Sequence, residues 1–285
     1  MDSARSQAGR SDAENLTLSA DWDAACRRMV EQIKLEMERF PTFAERSVGV
    51  GQGAGGDYTL EIDEVCEDVV FAELEALSQS GADFCAISEE RGEVDFGSPA
   101  IKVVVDPIDG SLNAKRVAQS WSLSLALATG ETMADVVYGY VYDFGAGEEW
   151  IARANEGATL NGLPLDATQE GNGLEVVGLE STKPAFFTPQ LLNTFDGNVS
   201  RIRSIGSIAL TLCQVAAARY DGMLSLRPCR SIDAAAAQLI AREAGATVAY
   251  QGDDALTAPL NLAPYRPIAA ARDSERAAFL LSALG

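Results

Sequence analysis

Ile101-Lys-Val-Val-Val-Asp106-Pro107-Ile108-Asp109-Gly110-Ser111 decides how this chain is read. A β-branched run ending at Asp106 has the composition of a buried strand feeding a loop. Pro107 fixes its own φ, removes an N–H and keeps Asp106 extended. Gly110 lets the backbone turn sharply and lets a ligand approach. Asp106, Asp109, a backbone carbonyl and the Ser111 hydroxyl can then converge on one point, the all-oxygen donor set that Mg²⁺ prefers. Pro, Asp, Gly and Ser are also common turn residues, so the same block in isolation reads as a tight turn at a strand end.

Further carboxylates stand at comparable places along the chain. Glu89-Glu90 follows the β-type stretch Phe84 to Ser88. If that strand neighbours 101–105, Glu89 joins Asp106 on one ion; alone, the pair is a solvated turn. Asp233 opens the Ala-rich segment Ser231-Ile232-Asp233-Ala-Ala-Ala-Ala, where it serves as a helix cap or faces outward as a ligand. Asp63 stands before a second helix, at the end of Thr59-Leu-Glu-Ile-Asp63.

Hydrophobic periodicity arranges these motifs. Helices are expected over about 22–39 and 63–78, separated by the glycine-rich turn Gly51-Gln-Gly-Ala-Gly-Gly-Asp57. Strands near 121–129, 135–143 and 147–153 predict an antiparallel meander, with a turn at Asn161-Gly162. From Leu174 onward, strand and helix alternate to the closing helix at 274–284, which argues an α/β layer. The division this predicts is a disordered polar tail over 1–18, an α+β subdomain over 19–170 carrying most ligands, and an α/β subdomain over 171–285 completing the site.

Composition removes whole classes of function. The chain has 285 residues, with 22 Lys and Arg against 42 Asp and Glu, a net charge of −20. Such a surface disfavours nucleic acid and anionic membrane, both polyanions. It also resists an anionic substrate unless bound cations offset it locally. Histidine is absent, which excludes Ser-His-Asp and Cys-His catalysis and His-ligated zinc. Five cysteines without CxxC spacing, no apolar run near the roughly 20 residues of a membrane span, and no signal-peptide core predict a reduced, cytoplasmic protein. Gly51-x-Gly53-x-x-Gly56 formally matches the dinucleotide fingerprint, but the expected preceding segment is helical and other residues intervene before the next helix. A loop near the carboxylate cluster, carrying a further metal or gating entry, is the better reading.

Glu89-Glu90, Asp106-Pro-Ile-Asp109-Gly-Ser111 and Asp233-Ala-Ala-Ala, in that order, resemble the inositol monophosphatase family. That family belongs to a lithium-sensitive, metal-dependent phosphatase superfamily that includes fructose-1,6-bisphosphatase. The resemblance spans nearly the whole chain, through Gly206-Ser-Ile-Ala-Leu-Thr-Leu-Cys-Gln-Val-Ala to Glu243-Ala-Gly245. It implies a layered α-β-α-β-α sandwich, usually a homodimer, and hydrolysis of a small phosphate ester with two or three Mg²⁺ ions. Glu89, Asp106, the Ile108 carbonyl and Ser111 would bind one ion; Asp106, Asp109 and Asp233 would bind the second. Glu89 and Ser111 would orient or deprotonate water, with Asp63 assisting. Asp109, Gly110, Ser111, Ser207, Ser225 and Arg227 would face the substrate.

The chain departs from the family pattern in places. The family's Trp-Asp is Ile232-Asp233 here, and the phosphate block continues Leu112-Asn113-Ala114-Lys115-Arg116. Ser225 stands where inositol-specific members carry an acidic residue. Arg227 and Arg230 could contact a second phosphate or form salt bridges on an acidic surface. Inositol phosphate, fructose bisphosphate, histidinol phosphate and nucleotide phosphates all stay open as substrates. A non-catalytic binding protein on this fold would be expected to have lost metal ligands, whereas Glu89, Asp106, Asp109 and Asp233 are all present.

Overall fold

The computed structural model describes residues 12–52, 58–169, 171, 173–253 and 255–285. The polar segment expected as a tail through residue 18 already contains a helix, α1 (Asp12–Ser19). One tertiary clasp explains why. Thr17 is buried, donates its hydroxyl to the Asp83 carbonyl and accepts the Asp83 amide, at 2.9 and 2.8 Å. Helix α2 (Trp22–Met37) starts at Asp21, whose carboxylate caps the Ala24 amide, and buries Trp22, Cys26, Met29, Val30 and Ile33.

A hairpin of β1 (Gly49–Gln52) and β2 (Tyr58–Leu60) leads directly into α3 (Glu61–Gln79). Asp63 therefore lies inside the first turn of α3 rather than ahead of it, and accepts the Leu60 amide. Next come β3 (Phe84–Ser88), β4 (Gly92–Asp109), α4 (Ser111–Lys115), β5 (Ser122–Ala128), β6 (Val136–Asp143), β7 (Glu148–Arg153), β8 (Gly157–Leu160) and β9 (Leu163–Pro164). These strands form a seven-stranded sheet in chain order, β3 to β9. Strand β4 flanks β3 twice: residues 92–96 run antiparallel to it, and residues 102–105 run parallel.

The remaining elements are β10 (Leu174–Glu180), α5 (Pro189–Phe195), β11 (Val199–Arg203), α6 (Ile208–Ala216), β12 (Gly222–Ser225), α7 (Ser231–Glu243), β13 (Thr247–Tyr250), β14 (Ile268–Ala271) and α8 (Ser274–Ser282). Their strands form a five-stranded sheet ordered β11-β10-β12-β14-β13.

Three apolar clusters fill the gaps between layers. Helices α2 and α3 cover one face of the larger sheet, α6 and α7 lie between the sheets, and α5 and α8 cover the far side. The result is the expected α-β-α-β-α sandwich. The alanine run of α7 has a steric reason. A Cβ on Gly139 of β6 would stand 2.6 Å from the Ala236 carbonyl, so helix and sheet approach closely only with small residues on both sides. No helix among the described residues is long and apolar enough to cross a membrane.

Candidate active site

Register brings the first two carboxylates together. Ser88 pairs with Val105 on the parallel arm of β4, so Glu89 and Asp106 leave adjacent strands side by side. Opposite β5, pairing skips from Asp106↔Ser124 to Asp109↔Ser122, which makes Pro107 and Ile108 a bulge. The loop is then closed from within. Asp106 accepts the Ile108 amide at 2.9 Å, and Ser111 donates its hydroxyl to the Ile108 carbonyl at 3.0 Å. Gly110 sits at φ +95°, where a Cβ would also meet the Ser120 carbonyl at 2.9 Å, so only glycine fits this corner.

Asp109 is anchored from the other half of the chain. Its carboxylate accepts the Ser207 hydroxyl, and the Ala209 amide at 2.8 Å, at the start of α6. The segment leading into α6 is itself clamped by Glu180, at the end of β10. That carboxylate accepts the amides of Ile205 and Gly206, each at 3.1 Å, and the Thr211 hydroxyl at 2.7 Å.

A cavity of about 420 Å³ collects Asp63, Glu89, Glu90, Asp106, Asp109 and Asp233 on its walls, together with Ile108, Gly110, Ser111, Lys115 and Arg230. A larger cavity, about 860 Å³ between α2 and α3, lies among surface arginines, glutamates and aliphatic residues away from these groups. Arg230 spans two of the acids: its guanidinium meets Glu89 at 2.7 Å and Asp233 at 3.3 Å. Glu90 accepts the Thr59 hydroxyl.

Burial dominates the electrostatics. It raises Asp106 and Asp109 well above the usual carboxylate range, and the neighbouring acids push the same way. Glu89 is raised for the same reason, against the opposing charge of Arg230. Burial lifts Asp63 to about 6, and its Oδ1 has no partner among the described residues. Among those residues no three His, Cys, Asp or Glu side chains stand close enough to form a ready metal cage. The donor chemistry nevertheless fits a hard cation. Carboxylate and carbonyl oxygens crowd one cavity, their mutual repulsion is only partly offset, and one acid oxygen has no partner among the described residues.

A family model for the inositol monophosphatase family matches residues 18–284. The chain belongs to the inositol monophosphatase family. Among curated relatives of this family member, it is 34% identical over 218 residues to a fructose-1,6-bisphosphatase/inositol-1-monophosphatase of Thermococcus kodakarensis, covering 75% of this chain and 79% of that protein. It is also 31% identical over 197 residues to the Nus factor SuhB of Haemophilus influenzae, covering 67% and 71%. A solved inositol monophosphatase-fructose 1,6 bisphosphatase superposes with a TM-score of 0.80 at 27% identity, over 93% of this chain and all of that one.

Eight of the residues that family resemblance singled out line the one cavity: Asp63, Glu89, Asp106, Ile108, Asp109, Gly110, Ser111 and Asp233. Ser207 is close by but stands behind Asp109 as its hydrogen-bond partner. Ser225 does not fit its expected role. It is fully buried in β12, donates to the Arg227 carbonyl at 2.7 Å and accepts the Ile268 amide at 3.1 Å. Arg227 is not among the cavity walls either; its guanidinium lies over the Phe186 ring. Residues 53–57 of the glycine-rich turn fall outside the described residues. The segment before them is strand rather than helix, yet β1 and β2 pair antiparallel, which excludes the parallel βαβ context of a dinucleotide fingerprint. Glu90 belongs to the acidic pair that carries the resemblance, but no role attaches to it from sequence, and Glu180 has no motif around it.

Proposed function

We propose that this chain is a Mg²⁺-dependent phosphatase of small sugar or polyol phosphate monoesters. One observation carries the reading: among the described residues, six carboxylates and two cationic side chains wall a single cavity of about 420 Å³. A phosphate ester would be repelled from such a cavity unless metal cations were bound there. Glu89, Asp106, the Ile108 carbonyl, Asp109, Ser111 and Asp233 would hold two or three ions. When bound, Mg²⁺ acidifies water and offsets phosphate charge.

The chain's own groups do the rest. Asp63, lifted to about 6 by burial, is matched to accepting a proton near neutral pH. Glu89 and Ser111 orient the attacking water. Gly110 and Ser111 turn their backbone amides, and Lys115 its ammonium, toward the phosphate oxygens. Because Ser225 is buried and already bonded, no side chain at that position reads inositol hydroxyls. This favours a substrate range broader than inositol phosphate, in keeping with the dual name of the Thermococcus kodakarensis relative.

Phosphate release should be measured from inositol 1-phosphate, fructose 1,6-bisphosphate, histidinol phosphate and nucleotide phosphates, with and without Mg²⁺. Mg²⁺-dependent release from at least one supports the reading; none from any overturns it. An Asp109→Asn variant with full activity would overturn the site instead. The SuhB relative motivates a second reading, a binding role without turnover, which the same null result would favour.

A further inference from the structure

Arg230 lies among three of the acids that the proposed metals would use. Its guanidinium bonds Glu89 at 2.7 Å and Asp233 at 3.3 Å, and it is only 18% exposed. Asp106 stands close enough for its charge to hold the guanidinium protonated as well. The backbone fixes this placement, since the Arg230 amide donates to Asp233 at 3.0 Å at the start of α7. Arginine and metal ligand thus share one helix cap.

We propose that Arg230 is an internal counter-ion of the metal site. In the metal-free protein its planar fork neutralises Glu89 and Asp233, and an incoming divalent cation must displace it. This rests on the metal-dependent reading above. Without a cation, Glu89, Asp106, Asp109 and Asp233 would face each other as buried like charges, an arrangement costly enough to loosen the loops that carry them. Arginine suits the role because it stays charged at any pH the protein meets, so it is never lost by its own deprotonation. Its wide, flat fork spans two carboxylates where a point charge reaches one.

The test is calorimetric titration of Mg²⁺ into metal-stripped wild type, Arg230→Met and Arg230→Lys, with melting temperatures of the metal-free forms. Removing the competitor should tighten Mg²⁺ binding on the order of tenfold and lower the metal-free melting temperature, because buried charges then lack a partner. Arg230→Lys keeps the charge but loses the fork, so it should behave closer to Met than to wild type. Should Arg230→Met fail to fold, the lysine variant carries the comparison. Unchanged Mg²⁺ affinity in a folded variant overturns the counter-ion role, as does a lysine variant identical to wild type. A wild-type protein that binds no Mg²⁺ overturns the underlying metal reading instead.

Discussion

Asp109 accepts the Ser207 hydroxyl across 98 residues of sequence, tying the loop that ends β4 to the helix that follows β11. The two halves of the chain therefore share one buried carboxylate. Replacing Ser207 by Ala leaves the Ala209 amide as the carboxylate's remaining donor among the described residues. Such a loss should cost about 1–3 kcal/mol of stability, read from the denaturant midpoint. Turnover should fall roughly 10- to 100-fold, as for other residues that orient ligands. Unaltered turnover would show that Asp109 needs no such support.

Glu180→Gln should disturb the same helix start from further away. The carboxylate accepts two amides and a hydroxyl, and burial lifts it to about 7. Glutamine offers one acceptor oxygen and turns an NH₂ toward a donor, at a cost of about 1–3 kcal/mol. Hydrogen exchange at the Ile205 and Gly206 amides should accelerate. Exchange as slow as in wild type would count against the clamp.

Metal-free protein should lose stability as pH rises. Asp63, Glu89, Asp106, Asp109 and Glu180 all have folded-state values above the unfolded range near 4. Between that range and about 6 to 7 the folded state holds protons the unfolded state has released, so stability falls as pH climbs through the window. Asp253 and Asp273 shift the opposite way and weaken the fold at lower pH. Melting temperature in chelator should therefore decline from about pH 4 toward pH 8. Mg²⁺ should flatten the decline. A rising profile over that range would contradict the argument.

Gly139→Ala should push α7 off β6. The added methyl would stand 2.6 Å from the Ala236 carbonyl, and backbone cannot step aside as a side-chain tip does. Overpacking of this kind costs about 1–3 kcal/mol. Because Asp233 rides on α7, Mg²⁺ affinity should weaken with stability, whereas a purely local strain would leave affinity intact.

Much of this was legible in the chain. The β-branched run before Asp106 and the turn chemistry after it locate the loop, and adjacency of strands 84–88 and 102–105 is enough to bring Glu89 to the site. Local pattern failed where tertiary contact decides. Residues 12–19 carry a single buried side chain, Thr17, and form a helix held by Asp83, a partner no local window contains. Ser225 stands where inositol-specific members carry an acidic residue, but β12 lies between β10 and β14 and is buried along its whole length. Arg230 admitted both a phosphate contact and a salt bridge; the bridge exists, and its partners are the proposed ligands themselves.

The double pairing of β4 with β3 makes the site unequally tolerant of length change. Residues 98–101 are an excursion between two arms of one strand, where relatives could gain or lose residues without moving Glu89 from Asp106. A single deletion within 102–105 would instead turn Asp106 to the opposite face of the sheet. Divergence in this lineage should therefore accumulate as insertions at the excursion, while spacing along the second arm stays frozen.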